Sequence, residues 1–266
     1  MVELLHKDLT KQIIGAYYEV YNALSQTYPE HLYENAMLHV LRREWGIPCS
    51  RQDEYQVVYK DKIVGLQRLD MFVAGEVVVE LKVAQRIEPV HLAQLLSYVR
   101  VAGKEVGLLF RFGGPEPEFA RRVLTIRSWE QSIHVGPPEP LELPDLLHPD
   151  LVYDVVGGLF EVFRHLGPGF LYRIYANACF HEMRLRGLAV KPHRSMEVFL
   201  HAVSIGTLNF AHLQVEDQLL VFPVAILDIA NIRQENLKAW MRTLNIPLGI
   251  LANFHATRLQ PVILRA

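Results

Sequence analysis

The sequence predicts an α/β protein built from two tandem copies of one small domain, each a mixed β-sheet flanked by helices. Two observations lead to this prediction. The chain repeats itself at one fixed offset, and the hydrophobic periodicity within each copy changes from helical to strand-like in the same order. A proline-rich segment between the copies marks the boundary.

The repeat is visible when the sequence is shifted by 142 positions. That shift places IIGAYYEVYNAL, which begins at Ile13, on VVGGLFEVFRHL, which begins at Val155. The same offset places GLLFRF at Gly107 on GILANF at Gly249. Ordered matches at a single offset indicate that a structural unit has been duplicated.

The segment between the copies runs from His134 to Asp150 and contains five prolines and four acidic residues. Prolines remove backbone donors and stiffen the chain, so this stretch is typical of an extended connector. We therefore expect a first domain over residues 1–135, a linker over 136–150 and a second domain over 151–266.

The first copy shows the order helix, helix, three strands, helix, strand (ααβββαβ). Helical spacing of apolar residues runs from Thr10 to Leu24 and again from Glu30 to Trp45, where Gly46 ends the second helix. Three strand-like runs follow, EYQVVYK, IVGLQRLDMFV and EVVVELKV, and Ala74-Gly75 predicts a hairpin between the last two. VHLAQLLSYVRVAG is typical of a helix that ends at Gly103, and VGLLFRFG of a buried strand.

The second copy follows the same plan, with strands near VFLHAV, TLNFAHLQV and QLLVFPV and a helix over about 232–244. A proline inside the last of these strands, Pro223, favours an edge position or distorted pairing. In the first copy, GGPEPEF from Gly113 is typical of a turn.

Composition narrows the class of protein. Half of the 266 residues are hydrophobic and the formal net charge is −2, so charge alone does not indicate a nucleic-acid binder. Cys49 and Cys179 show no metal-binding or disulfide spacing, and the twelve histidines form no HExxH motif. No GxxxxGK[ST] or GxGxxG loop occurs. Without a signal-like or membrane-spanning stretch, we expect a soluble cytoplasmic protein that does not bind membranes.

The residues that indicate chemistry lie in RLDMFVAGEVVVELKVAQ. Glu80 and Lys82 are two positions apart on one predicted strand, so they share a face of the sheet. If the hairpin forms, Asp70 lies across from Glu80. Two carboxylates can bind Mg²⁺ through oxygen, and a lysine beside them can stabilise charge on a phosphate. The alternative is a solvated hairpin that carries a salt bridge.

The pattern D…ExK across a hairpin, followed by a helix with Gln94, resembles the PD-(D/E)xK nuclease superfamily. Within it the chain is similar to the GxxExxY proteins, a bacterial group of predicted nucleases. The likeness rests on TYPEHLYE, RLDMFV, VVELKV, HLAQLLSYVR and GLLFRF, and covers nearly all of the first copy. It departs at Thr27, where the family has glycine, and at Arg111, where asparagine is usual. The resemblance implies two tandem restriction-endonuclease-like domains.

The resemblance also implies roles. Asp70, Glu80 and Glu30 would hold Mg²⁺ or Mn²⁺, and Lys82 would assist the attacking water and the transition state. Gln94 would flank the cleft and hydrogen-bond to Lys82 or to the phosphate. His91 and Tyr98 would serve packing and orientation. For Glu30 the simpler alternative is a carboxylate favoured at a helix N-terminus, and for Gln94 an ordinary surface side chain.

The second copy lacks these groups. The alignment places Ala211 opposite Asp70, and either Val221 or Phe222 opposite Glu80. Pro223 or Val224 falls opposite Lys82, whereas Tyr172 and Asn236 fall opposite Glu30 and Gln94. We expect a degenerate second domain, in which Glu216 and Asp217 serve only the solubility of a hairpin turn.

These observations predict a metal-dependent nuclease with one active centre per chain, which hydrolyses DNA or, as the alternative, RNA. The alternative is a non-catalytic nucleic-acid-binding protein or scaffold that keeps the fold. A protein-binding regulator is a third possibility. The second copy is expected to pack on the first as a pseudo-dimer, in a monomer or in a homodimer.

Overall fold

The computed structural model describes residues 5–24, 28–133, 146–201 and 203–266. Contacts divide the chain into two compact units, Met1–Val57 with Leu66–Ser132 and Val58–Gly65 with Ile133–Ala266. Thr27 and most of the predicted linker, residues 136–145, lie outside the described residues. Among the described helices, none has both the length and the apolar character needed to span a membrane.

The first copy contains four α-helices and five strands in its described part. The helices are α1 (Lys7–Ala23), α2 (Glu30–His39), α3 (Pro89–Val101) and α4 (Ile126–Ser132). The strands are β1 (Cys49–Tyr59), β2 (Lys62–Val73), β3 (Val77–Val83), β4 (Val106–Phe112) and β5 (Glu118–Val123).

The sheet of the first copy has the order β1-β2-β3-β4-β5, so β3 lies at its centre. β3 pairs antiparallel with β2 and parallel with β4, and β4 pairs antiparallel with β5. The parallel connection from β3 to β4 runs through α3, as a crossover requires. Helix and strand approach closely, because a Cβ at Gly107 would lie 2.6 Å from Val99 Cγ2.

One face of β3 packs into the core through Val77, Val79 and Leu81, which are fully buried. Tyr33 of α2 stacks on Phe112 at a ring distance of 4.1 Å, and Tyr17 of α1 stacks on Phe110 at 4.5 Å. Alternation along β3 therefore turns Glu80 and Lys82 to the opposite face.

The structure adds elements that the sequence order ααβββαβ did not contain. A fifth strand, β5, follows the turn predicted at Gly113, and α4 follows β5. The second predicted helix does not run as one α-helix to Trp45, because Val40–Glu44 forms a π-helical turn. β5 was missed because EFARRV is a half-exposed edge segment without clear apolar alternation.

The second copy repeats the architecture. Its helices are α5 (Pro149–Leu166), α6 (Tyr172–Leu185) and α7 (Gln234–Thr243), with a 3₁₀ turn at Ile229–Asn231. Its strands are β6 (Val190–Leu200), β7 (Val203–Val215), β8 (Leu219–Val224), β9 (Leu248–Asn253) and β10 (Val262–Arg265). The sheet order β10-β9-β8-β7-β6 again places the third strand at the centre. The predicted pair of tandem α/β domains is thereby confirmed.

The edge position predicted from Pro223 is wrong, because β8 lies between β7 and β9. Pairing of β7 with β8 ends at Leu213 opposite Val221, two residues before the proline. Pro223 still pairs in register with Ala252 of β9. The missing N–H thus costs no hydrogen bond to β7 at this point, so the central strand tolerates proline.

The hairpin predicted at Ala74-Gly75 is present. Ala74 and Gly75 both have positive φ, 52° and 68°, as the two central residues of a type I′ turn require. Glu216 and Asp217 occupy the same positions in the second copy with φ of 51° and 56°. The offset of 142 therefore holds through the hairpins as well as the helices.

Candidate active site

Asp70 and Glu80 meet across the central hairpin. The β2–β3 register pairs Met71 with Val79, and its next step places Asp70 opposite Glu80. An Asp70 side-chain oxygen accepts a hydrogen bond of 2.9 Å from the backbone N–H of Leu81. The carboxylate therefore replaces a backbone acceptor where the strand pairing ends, which fixes its position beside Glu80.

Glu80 is buried, with 1% of its surface exposed. Its Oε1 accepts hydrogen bonds from Lys82 Nζ at 2.6 Å and from Gln94 Nε2 at 3.0 Å. Its Oε2 has no hydrogen-bond partner among the described residues. Burial and then the nearby Asp70 carboxylate hold the pKa of Glu80 well above its ordinary value.

Lys82 lies between two carboxylates. Its Nζ is 2.6 Å from Glu80 Oε1 and 4.0 Å from Glu30 Oε1. Burial alone would lower the pKa of Lys82, but Glu80, Glu30 and Asp70 outweigh it and raise the pKa above its ordinary value. Lys82 therefore carries its proton across the pH range in which proteins work.

Glu30 is the first residue of α2, as the sequence predicted. Burial raises the pKa of its carboxyl group, and Lys82 opposes that shift. The backbone N–H of Val83 also favours the charged form. Glu30 thus contacts the end of β3, which a carboxylate serving only its own helix N-terminus would not do.

Gln94 extends from α3 to the same place. Besides its bond to Glu80, its Nε2 donates to the hydroxyl of Tyr98 at 2.8 Å. Of the two partners predicted for Gln94, Lys82 is not contacted directly, because Lys82 Nζ and Gln94 Nε2 both donate to Glu80 Oε1. His91 lies one turn earlier and accepts from the N–H of Glu88 in a capping box at the start of α3.

Sequence reasoning missed Glu34, which lies one helical turn after Glu30. Glu34 is 4% exposed and accepts from Arg51 at 3.2 Å and from Gln52 at 3.0 Å. Carboxyl oxygens of Glu30, Glu34 and Asp70 lie within 4.8 Å of one another. The i, i+4 spacing on a helix was the available signal, because it places both glutamates on one face.

These side chains suit a divalent cation. The donors are carboxylate oxygens, which hard ions such as Mg²⁺ and Mn²⁺ prefer. An unpartnered buried oxygen such as Glu80 Oε2 is otherwise costly, and a bound cation would satisfy it. Both the residue types and the unpartnered oxygen of Glu80 therefore support a divalent cation at this place.

Two positions singled out by the sequence resemblance have structural roles. Tyr33 lies in the core, and its hydroxyl accepts from the N–H of Tyr28 at 3.2 Å before α2. Arg111, the departure from the usual asparagine, donates to the carbonyl of Gln85 at 3.1 Å. Asn253 stands at the equivalent position of the second copy and bonds Ile226 in the loop after β8. Arginine and asparagine thus both hold the loop that follows the central strand.

The strand registers of the second copy correct one alignment. Leu213 pairs with Val221, just as Met71 pairs with Val79, so His212 is the counterpart of Asp70. The prediction of Ala211 is wrong by one residue, because the gap assumed there does not exist. The same register makes Phe222 the counterpart of Glu80, Pro223 of Leu81 and Val224 of Lys82. Tyr172 and Asn236 are the counterparts of Glu30 and Gln94, as predicted.

A histidine-centred aromatic cluster replaces the carboxylates in the second copy. His212 is fully buried, accepts at Nε2 from Trp240 Nε1 at 2.8 Å and contacts the carbonyl of Phe210 through Nδ1 at 3.0 Å. Its ring stacks on the ring of Phe222, with the two ring centroids 5.5 Å apart. A cavity of about 320 Å³ lies beside this cluster and is lined mainly by apolar side chains, with Asn231, Arg233 and Asn236 among its polar groups. None of these groups is a carboxylate.

Fold and side chains together define a class of protein, an α/β domain in which carboxylates and a lysine meet on a central hairpin. A sequence model of the PD-(D/E)XK nuclease superfamily matches residues 7–123 and again residues 149–266. The chain therefore belongs to the PD-(D/E)XK nuclease superfamily, as a tandem duplication. No curated protein and no solved structure matches it.

Proposed function

We propose that the first copy hydrolyses phosphodiester bonds of nucleic acid, DNA or alternatively RNA, in a reaction that depends on Mg²⁺ or Mn²⁺. One observation carries the proposal. Asp70, Glu80 and Glu30 converge around Lys82, and the part of the chain that the structure describes offers no partner to Glu80 Oε2.

In this proposal Asp70, Glu80 and Glu30 hold the metal ion. A divalent ion bound there supplies Lewis-acid polarisation of the phosphate and lowers the pKa of a water molecule. Asp70 is fixed by the N–H of Leu81, and Glu80 by Lys82 and Gln94, so little reorganisation is needed on binding. Such preorganisation is what makes charged groups effective in catalysis.

Lys82 stabilises charge on the scissile phosphate. Its ammonium group is held in position by Glu80, and its raised pKa keeps the group charged. In the transition state a fixed cation interacts more strongly with the phosphoryl oxygens than in the ground state, because negative charge has accumulated there. Gln94 contributes by orienting Glu80.

We infer that the second copy is non-catalytic. Phe222, Val224 and His212 replace Glu80, Lys82 and Asp70, and Trp240 holds His212 in a buried hydrogen bond. A non-catalytic binding or scaffold role, which the sequence left open for the whole chain, therefore suits this copy. Expression of residues 1–135 alone tests that role, because a fully stable and fully active fragment would remove it.

The test of cleavage uses the purified full chain. Single- and double-stranded DNA and RNA are incubated with Mg²⁺, Mn²⁺ or EDTA, beside variants Lys82→Ala and Lys62→Ala. Lys62 is an exposed lysine on β2 and is the matched control. We expect metal-dependent cleavage that falls at least about 100-fold in Lys82→Ala and stays unchanged in Lys62→Ala. Cleavage that continues in EDTA, or that is unchanged in Lys82→Ala, would contradict the proposal.

A further inference from the structure

We propose that Glu34, which lies outside the D…ExK pattern, is a direct ligand of the divalent ion together with Glu30 and Asp70. The inference rests on the proposed metal-dependent function of the first copy and names an additional residue of its site. The test is chosen so that failure of this inference and failure of metal binding give different results.

The spacing of the three carboxylates supports shared coordination. One oxygen from each of Glu30, Glu34 and Asp70 lies within 4.8 Å of the others. Ligand oxygens around an octahedral Mg²⁺ are separated by about 3.0 to 4.2 Å, as metal–oxygen distances of about 2.1 Å require. Small side-chain movements therefore bring all three oxygens into one coordination shell.

The orientation of Glu34 leaves one oxygen available. Arg51 Nη1 and Gln52 Nε2 both donate to Oε2, at 3.2 Å and 3.0 Å. Two donors on one oxygen fix the carboxylate plane and leave Oε1 for another partner. Metal-binding carboxylates are commonly oriented in this way by hydrogen bonds from residues outside the coordination shell.

A second, independent observation indicates that a cation belongs beside this cluster. Glu80 lies opposite Asp70 on the hairpin, is almost completely buried and has no partner for Oε2 among the described residues. Lys82 lies between Glu80 and the three carboxylates, since its Nζ contacts Glu80 Oε1 and lies 4.0 Å from Glu30 Oε1. The unsatisfied oxygen and the three converging carboxylates therefore belong to one local arrangement.

The second copy serves as an internal comparison. The residues on either side of Glu34, Tyr33 and Asn35, are retained there as Tyr175 and Asn177. Glu34 itself is replaced by Ala176. The tyrosine thus persists where the fold needs it, whereas Glu34 is lost along with the other proposed ligands. This pattern is the one that a residue of the metal site should show. The same offset replaces Arg51 by His193, so the separation of a ligand from an ionic partner of Arg51 falls to experiment.

The competing explanation is that Glu34 serves only as the buried ionic partner of Arg51. Mn²⁺ titration of the full chain without nucleic acid, by calorimetry or electron paramagnetic resonance, separates the two. The variants are Glu34→Gln, Glu34→Asp and, as a matched control, Glu54→Gln. Glu54 is an exposed carboxylate paired with Arg68 at 2.9 Å, so it is a solvated glutamate–arginine pair outside the proposed set of ligands.

We expect Glu34→Gln to weaken Mn²⁺ binding by more than about tenfold, Glu34→Asp to weaken it less, and Glu54→Gln to leave it unchanged. Equal Mn²⁺ affinity in the wild type and in a folded Glu34→Gln variant, with only a lower Tm, would overturn the inference. If Glu34→Gln does not fold, wild-type affinity in Glu34→Asp overturns it instead. Absence of Mn²⁺ binding by the wild type would contradict the proposed function itself.

Discussion

Asp70 accepts a hydrogen bond from the backbone N–H of Leu81 in the first copy, whereas the counterpart of Leu81 in the second copy, Pro223, has no N–H to donate. His212 replaces Asp70 there and bonds Trp240 instead. Loss of the carboxylate and loss of the donor that it satisfied thus occur together. The two copies share a backbone fold, but different hydrogen bonds form at the end of the hairpin. Only the first copy has carboxylate oxygens there that could bind a ligand.

Asp70→Asn and Asp70→Ala should separate folding from metal binding. Asparagine keeps a side-chain oxygen for the Leu81 N–H, so we expect a Tm close to that of the wild type but a loss of Mn²⁺ binding. Alanine leaves a buried N–H unsatisfied, which costs about 1–3 kcal/mol of unfolding free energy. Urea unfolding and Mn²⁺ titration measure both effects.

The Asp70 prediction fails if asparagine destabilises the chain as much as alanine does. That result would mean that the charge of Asp70, and not its acceptor geometry, stabilises the end of the hairpin. A variant of Asp53, which bonds Ser50 on β1 away from the hairpin end, controls for general loss of an aspartate.

Binding of the divalent ion should release protons and weaken as the pH falls. Burial raises the pKa values of Glu80 and Glu30, so the metal-free site retains protons that an ordinary glutamate has lost. Ligation requires the charged carboxylates, so affinity rises with pH through these raised pKa values. Calorimetry of Mn²⁺ binding in buffers with different ionisation enthalpies measures the protons released.

In Glu80→Gln the number of protons released on Mn²⁺ binding should fall, because a buried carboxyl group with a raised pKa is gone. Proton release equal to that of the wild type would show that Glu80 is already charged in the metal-free protein. Exposed Glu54→Gln should release the same number of protons as the wild type.

The sequence predicted the fold well where a periodic pattern was long or repeated. The offset of 142 followed from ordered matches along the sequence, and the hairpin at Ala74-Gly75 from its turn residues. The register that places Asp70 opposite Glu80 was visible only in the structure, where Val73 pairs with Val77 and three residues connect the strands. The edge strand β5 could not be predicted, since its half-exposed residues lack a clear period. Glu34 was missed because Asp70 of β2, and Arg51 and Gln52 of β1, meet it only after folding.

Gln94 and Tyr98 should affect turnover in a graded way. Gln94→Ala removes a donor to the buried Glu80 carboxylate, so we expect kcat to fall by about tenfold or more. Tyr98→Phe removes only the hydroxyl that orients Gln94, at 2.8 Å, and should lower kcat by about fivefold. Steady-state cleavage with each variant measures these losses.

Because Tyr98 acts through Gln94, the double variant should lose little more activity than Gln94→Ala alone. Fully additive losses would show that Tyr98 has a separate role. A change in KM without a change in kcat would likewise contradict a positioning role for Gln94, since it would indicate loss of uniform substrate binding.

His212 should make the stability of the second copy depend on pH. Burial lowers the pKa of His212 to about 4, helped by the neighbouring His193, whereas the unfolded chain has a histidine pKa of about 6.5. Between these values the unfolded state binds a proton that the folded state does not, so the unfolding free energy falls as pH decreases from about 6.5 to about 4. From about pH 7 to about pH 5 the loss is about 2 kcal/mol. The raised pKa values of Glu80 and Glu30 act in the opposite direction, so the measurement compares variants. Between the two pH values, urea unfolding should show about 2 kcal/mol more loss in the wild type and in the exposed control His201→Gln than in His212→Gln, whose amide does not titrate. An unchanged pH dependence in His212→Gln would show that His212 is not the group responsible.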